Sequence, residues 1–256
     1  MMLNRVWGIA FNTFRESVRD RVLVALIVIA ILVMASAKVI QPVALGEAEK
    51  IIKDLGLSAI TLFCVLIAIL VGGRIVYREV EKRTIYLLLA RPVRRYEFII
   101  GKYCGMMLVL GVSLVLMTAG FYLVLLLTGV KPEPRLLWAV LMTGFELAIL
   151  TAVAVLFSTF VTPIASAVFT FVVYFIGHST QLLRQLAAIS PAPIVKFIGM
   201  FLYYVLPNLN NFNIRGDVVH NAPLNPLAMV LSIAYALVYT FTLLLIAIFV
   251  FNRRDF

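Results

Sequence analysis

Long apolar blocks recur along the chain, at residues 22–40, 57–77, 103–127, 136–160, 164–183 and 226–251. A helix crossing the ~30 Å hydrocarbon layer of a bilayer takes ~20 mostly apolar residues, and each block supplies about that many. Hydrophobic residues make up 63% of the chain and charged residues 13%, against about 45–50% and about 25% in soluble domains. What lies between the blocks is too short to build a soluble domain. The expected fold is therefore all-α: a polytopic membrane protein with six transmembrane helices, residues 1–256 forming a single membrane domain.

The net charge of +10 raises the question of nucleic acid, and its distribution answers it. Four cations precede the first block (Arg5, Arg15, Arg19, Arg21), eight lie between Arg74 and Lys102, and Arg253 and Arg254 follow the last block. Those 14 fall on one predicted side. The other 8 (Lys38, Lys50, Lys53, Lys131, Arg135, Arg184, Lys196, Arg215) are spread over the opposite side and its longer loops. By the positive-inside rule both termini are cytoplasmic, in an inner (plasma) membrane, and the number of spans is even. The basic excess reads as an orientation signal with some anionic-lipid contact, and no nucleic-acid partner is expected. Ala35-Ser36-Ala37 stands where a signal peptidase site would, but the basic leader is long for a signal peptide, so the first block is read as the first span. Cys64 and Cys104 lie in or beside apolar blocks and read as small helix fillers.

Two segments outside the blocks are patterned. Within residues 1–21, Trp7, Phe11, Phe14 and Val18 recur at spacings of 4, 3 and 4, with Arg5, Asn12, Arg15, Glu16 and Arg19 around them; this predicts a helix lying in the headgroup plane. Residues 78–102 form a charged cassette. Its polar run from Arg78 to Arg83 is followed by Ile85, Leu88 and Leu89 on one helical face, and then by Arg91-Pro92. Proline disfavours helix at the residue before it, so a short amphipathic helix ends near Ala90 and a second begins near Val93. On spacing alone the favoured reading is a solvated loop that sets topology.

The run Glu79-x-Glu81-Lys82-Arg83-Thr84-x-x-x-Leu88-Leu89-Ala90-Arg91-Pro92-Val93-x-Arg95-x-x-Phe98-x-x-Gly101-Lys102 resembles the segment after the second span in permease subunits of type-2 ABC exporters. The branch that includes the permease for nitrous oxide reductase maturation is the most similar. Leu206-Pro207-Asn208-Leu209-x-x-Phe212 resembles a segment of that branch placed before the last span. The resemblance implies an N-terminal interfacial connecting helix, six spans, a cytoplasmic coupling helix and a re-entrant helix before the last span. It also implies a second permease copy or a paralogue, two copies of a separate ABC ATPase subunit, contact with membrane lipid, and a possible periplasmic subunit. Coupling to the ATPase would fall to Glu79, Glu81, Lys82, Arg83, Thr84, Ile85, Leu88, Leu89, Arg91, Pro92 and Arg95. No G-x-x-x-x-G-K-[ST] phosphate loop occurs, since Tyr103 follows the Gly101-Lys102 pair. The chain is thus not expected to be an enzyme or to bind a cofactor; ATP and Mg belong to the partner ATPase.

The stretch 180–225 is mixed in character. Ser190-Pro191-Ala192-Pro193 breaks it, 194–206 is apolar but too short to cross, and Pro207-Asn208-Leu209-Asn210-Asn211-Phe212 closes it. A re-entrant helix that closes the outer end of a path is expected, with Phe197, Gly199, Phe201, Tyr204, Pro207 and Asn208 as gate residues. Inside the apolar blocks Glu146 stands out, because a carboxylate in the bilayer is costly and functional by default. It either lines a cargo path or satisfies a neighbouring polar group at a helix contact. His178 and His220 have no further ligand at useful spacing for a metal. Thr151, Ser158, Thr159 and Thr162 are expected to tie helices together. A secondary transporter or channel is the alternative class, and would show inverted repeats or several buried ionisable groups.

Overall fold

The computed structural model describes residues 2–40, 47–77, 94–189 and 193–253, and every regular element among them is a helix. In chain order these are α1 (Met2–Val18), α2 (Arg21–Ala35), α3 (Ala37–Ile40), α4 (Ala48–Gly72), α5 (Arg95–Thr128), α6 (Leu136–Ser158), α7 (Pro163–His178), α8 (Thr180–Ile189), α9 (Pro193–Val205), a 3₁₀ turn (Leu209–Phe212), α10 (Arg215–Val219) and α11 (Pro226–Asn252). The expected coupling helix, and with it Glu79, Glu81, Lys82, Arg83, Thr84, Ile85, Leu88, Leu89, Arg91 and Pro92, lies outside the described residues.

Five helical stretches are long and apolar enough to cross a membrane: Arg21–Val39, Ala48–Gly72, Arg95–Thr128, Leu136–Ser158 and Pro226–Asn252. The chain is a multi-pass membrane protein. Of the most apolar window of each stretch, 67% is buried in α4 and 61% in α6, against 22% for Arg21–Val39 and 17% for α11. The first two therefore form the centre of the bundle and the last two its exposed flanks. The 34 residues of α5 make it about 51 Å long at 1.5 Å per residue, longer than the ~40–45 Å of a bilayer with its headgroups. One continuous helix thus carries both the end of the charged cassette and the following apolar block.

The block expected at 164–183 is divided. Its helix, α7, has 16 residues and covers about 24 Å, short of the hydrocarbon thickness. The cause is a polar run that turns its side chains back on the backbone. Ser179 Oγ donates to the Phe175 carbonyl at 3.0 Å, Thr180 Oγ1 lies 3.3 Å from the Gly177 carbonyl, and His178 Nδ1 is 3.3 Å from the Tyr174 carbonyl. Such local bonds compete with the helical ladder. Gly177 adds a second cause: a Cβ there would sit 2.8 Å from the Pro207 carbonyl oxygen, so only a glycine lets the incoming chain pass this close. Beyond the break α8 and α9 pack on one another, with the Arg184 guanidinium 5.5 Å from the Tyr203 ring centre.

The N-terminal helix is seated, not free. Ala10, Thr13 and Ser17 are buried, and they meet α5 at Gly101 and Gly105, where added Cβ atoms would lie 2.8 Å from Ile9 Cβ and 2.6 Å from the Ala10 carbonyl. Small residues four apart let two backbones approach closely. Of the stripe read as membrane-facing, Trp7, Phe11 and Val18 are exposed, while Phe14 is half-buried against the core.

Both described ends meet at the start of α5. Arg95 Nη1 donates to the carbonyls of Phe251 (3.3 Å) and Asn252 (2.9 Å), Phe98 stacks on Phe251 at 5.7 Å, and Arg5 pairs with Glu97 at 4.0 Å. On the same level Asp20 accepts from the Val22 amide at 3.0 Å, capping α2, and pairs with Arg74 at 3.3 Å.

Candidate functional site

The middle of α6 places Glu146 toward α7, and the side chain is 3% exposed. On α7, Tyr174 and His178 are one turn apart and share a face, their rings 4.7 Å apart. His178 Nε2 stands 3.6 Å from Glu146 Oε1, beyond hydrogen-bond reach, and that oxygen has no hydrogen-bond partner. Between α4, α6, α7 and the turn that follows Phe212 lies a cavity of about 170 Å³, lined by Thr61, Thr143, Glu146, Tyr174, His178, Asn213 and Arg215 among others. At about 30 Å³ per water it has room for several. Polar lining of this density inside an apolar bundle makes it the candidate functional site.

The outer edge of the cavity is held by ionic contacts. Arg215 binds Asp54 at 2.9 Å and Ser58 at 2.6 Å. Lys53, its side chain 3% exposed, bridges Glu49 (2.6 Å) and Glu133 (2.7 Å), while Arg135 donates to the Ala222 carbonyl. These contacts link α4, the α5–α6 connection and the segment after α10 into one ring. The exposed members each contribute little, ~0–1 kcal/mol; the buried Lys53 ammonium is what fixes the geometry, because its charge must stay paired. A second, apolar groove of about 700 Å³ lies between α5, α6 and α11, lined by Tyr103, Met107, Leu114, Phe145, Leu237 and Thr240 among others.

The expected gate residues divide into anchored and exposed sets. Asn208 accepts from Thr180 Oγ1 at 2.9 Å through Oδ1, and its amide donates to Tyr235 Oη at 3.0 Å; with Pro207 against Gly177, this pins the base of the α8–α9 pair to α11. Gly199 is buried, whereas Phe197, Phe201 and Tyr204 are exposed at 73%, 55% and 80%. The helix α9 packs on α8 and meets α11 at its C-terminal end, where Tyr239 Oη donates to the Val205 carbonyl at 2.8 Å. Arg95, one of the expected coupling residues, donates to the last turn of α11.

Sequence reasoning singled out Glu146 and set His178 aside as a weak metal ligand; it missed that they face each other, and it missed Tyr174 and Arg215. The four-residue spacing of Tyr174 and His178 was a readable signal. Arg215 carried none, being 69 residues from Glu146 in the sequence. His220 lies apart, in a cleft with Glu47, Lys50 and Asp54, and among the described residues no three His, Cys, Asp or Glu side chains gather as a metal site would require. Ser158 and Thr159 bond carbonyls of their own helix end; side-chain hydrogen bonds between helices include Ser166 Oγ to the Ala154 carbonyl (3.3 Å), Tyr103 Oη to the Ala148 carbonyl (3.3 Å) and Thr61 Oγ1 with Thr143 Oγ1 (3.3 Å).

Several lipid-spanning helices around a buried polar site, with an apolar groove alongside, define a polytopic transport-type membrane protein. The model of the ABC-2 family transporter proteins matches residues 7–256, and the chain belongs to that family. Membership makes it a permease component of an ABC transporter, whose ATPase is a partner. Among curated proteins, none matches the chain.

Proposed function

We propose that the chain is the membrane-spanning subunit of an ATP-driven exporter, forming the translocation path and coupling separate ATPase subunits to export or to work on a periplasmic partner. The observation that carries this reading is the family match over residues 7–256. Within the family we place the chain nearest the branch of the nitrous oxide reductase maturation permease, on Leu206-Pro207-Asn208-Leu209 and the charged cassette. Six spans are part of the reading. In it α7, which runs back along α6 from Ser166 beside Ala154 to His178 beside Glu146, is taken as the remaining, shorter span. Both termini and the cassette then face the cytoplasm of an inner membrane, with the α8–α9 pair as the re-entrant element outside.

Closure of two ATPase subunits is a rigid-body movement, and passing it to the membrane needs a stiff element joined to spans. Residues 79–90 are that element in this reading: Ile85, Leu88 and Leu89 dock, while Glu79, Glu81, Lys82, Arg83 and Arg91 set the register by charge. The continuous α5 provides the lever. ATP and Mg sit in the partner ATPase, present in two copies, and a second permease copy or paralogue completes the path. Co-purification in mild detergent with neighbouring gene products tests this: an ATPase subunit is expected, and Glu81→Lys and Arg91→Glu are expected to lose transport while the chain still folds. Full transport by both variants would reduce the cassette to a topology signal. The buried Glu146–His178 pair favours one second reading, a secondary transporter, which transport driven by an ion gradient without ATP would reveal.

A further inference from the structure

On α5, Tyr103, Met107, Gly111, Leu114 and Thr118 recur at spacings of 4, 4, 3 and 4. On α6, Leu137, Leu141, Gly144 and Ala148 recur at 4, 3 and 4. Each set is one helical stripe, and the two stripes, with Ala236 and Leu237 of α11, wall the apolar groove of about 700 Å³. Its depth comes from missing side chains. A Cβ added at Gly111 would meet nothing within 4 Å, and one at Gly144 only Leu114 Cδ1 at 3.8 Å. The polar cavity lies on another face of α6, at Thr143 and Glu146.

The groove starts at one membrane surface and stops halfway. Along α6, Leu137 to Ala148 covers ~17 Å at 1.5 Å per residue, against ~15 Å for half of the ~30 Å hydrocarbon layer. The Leu137 end stands beside Trp138, exposed in the first turn of α6, a side chain that settles at headgroup level. The other end is shut by the Tyr103 hydroxyl, which donates to the Ala148 carbonyl at 3.3 Å. Between the ends Val115, Leu141 and Leu237 are exposed, so one side opens to hydrocarbon. Such a slot suits an occupant one leaflet long. A spanning helix of a second copy is too large, since ~17 Å of a cylinder 10 Å across takes ~1,300 Å³, and it would have to continue past the closed end. A methylene chain fits, and gives the glycine floor the contacts that its missing side chains leave open.

We propose that this groove is a lipid site: one acyl chain of a glycerophospholipid, from the leaflet at which α6 begins, lies in it with its ester end at Leu137 and its terminal methyl at Tyr103. The site asks only that the chain span a membrane, and does not depend on what is transported.

The full-length chain is placed in nanodiscs of phosphatidylcholine containing a small fraction of the same lipid with a diazirine either near the ester or at the methyl end of one chain. After irradiation the adducts are mapped by mass spectrometry. The ester-end label is expected at Leu137 and Leu141 and the methyl-end label at Tyr103 and Met107, while Phe241, exposed on α11 and outside the groove, reports lipid in passing contact. Gly111→Phe places a ring in the open space of the groove; labelling at Met107 is expected to fall severalfold and labelling at Phe241 to stay as it was. A diazirine fatty acid without a headgroup is expected to show no preference for Met107 over Phe241. The proposal is overturned by the same labelling pattern from both lipid probes, by an undiminished Met107 signal in Gly111→Phe, by preferential capture of the free fatty acid, or by a Gly111→Phe chain that loses self-association while its lipid adducts are unchanged. Should Gly111→Phe fail to accumulate, Gly144→Phe is judged by the same criterion, and the order of the two labels along the wild-type groove decides without any variant.

Discussion

A single arginine shows how far a side chain's role depends on where its neighbours end. The last carbonyls of any helix lack intrahelical partners, and in α11 two of them, on Phe251 and Asn252, accept from Arg95 at the start of another helix. Hydrogen bonds to charged groups contribute ~1.5–3 kcal/mol, discounted here because the contact is part-exposed. Arg95→Ala should therefore cost about 1 kcal/mol locally, seen as faster hydrogen exchange at Arg253, whose amide bonds the Phe249 carbonyl, with amides in the middle of α11 unchanged. Uniform acceleration along α11 would mean that Arg95 holds the whole helix and not its last turn. Glu97 beside it, 4% exposed, is satisfied by the Arg94 amide at 3.0 Å as well as by Arg5, so a charge in the middle of a basic cassette is part of the fold and not of its surface.

At the scale of elements, the seat of α1 on α5 rests on two glycines. Gly105→Leu should drive α1 off, because even a Cβ would lie 2.6 Å from the Ala10 carbonyl; tryptic cleavage at Arg15 and Arg19 should then accelerate severalfold. Gly111→Leu, on the same helix where an added Cβ meets nothing within 4 Å, should leave cleavage as it was. In the α8–α9 pair, Gly199 is buried, so Gly199→Trp should unseat α9 and stop transport while leaving ATPase association intact; normal transport would remove the gate from consideration. The long spans were legible in the sequence because block length alone decides them. The α1 seat was not: of its apolar stripe of Trp7, Phe11, Phe14 and Val18 only Phe14 turns partly inward, while the face that packs is made mainly of Ala10, Thr13 and Ser17, whose smallness carries no hydropathy signal. The end of α7 was signalled by the polar run His178-Ser179-Thr180-Gln181, but an apolar block read through to Leu183 passed over it, and the break comes from side-chain bonds of that run to the backbone. Glu146 was legible as an isolated acid, its partners were not, because pairing of α6 with α7 and α10 is a tertiary fact.

For the whole molecule the decisive question is sidedness. With Cys64 and Cys104 replaced by alanine, single cysteines at Ala48 and Asp217 should label from outside, and those at Lys82 and Arg254 from inside only. Labelling of position 254 from outside would require an odd number of crossings and place the α8–α9 pair within the membrane. The contacts of Arg5 with Glu97 and of Arg95 with Phe251 and Asn252 already bring the two described ends to one level. Because both are fastened to the same few residues of α5, the separation between α1 and the end of α11 should stay constant while other parts of the transporter rearrange. A pair of spin labels on these two helices would then serve as an internal ruler, a fixed length against which movements elsewhere in the working complex are read.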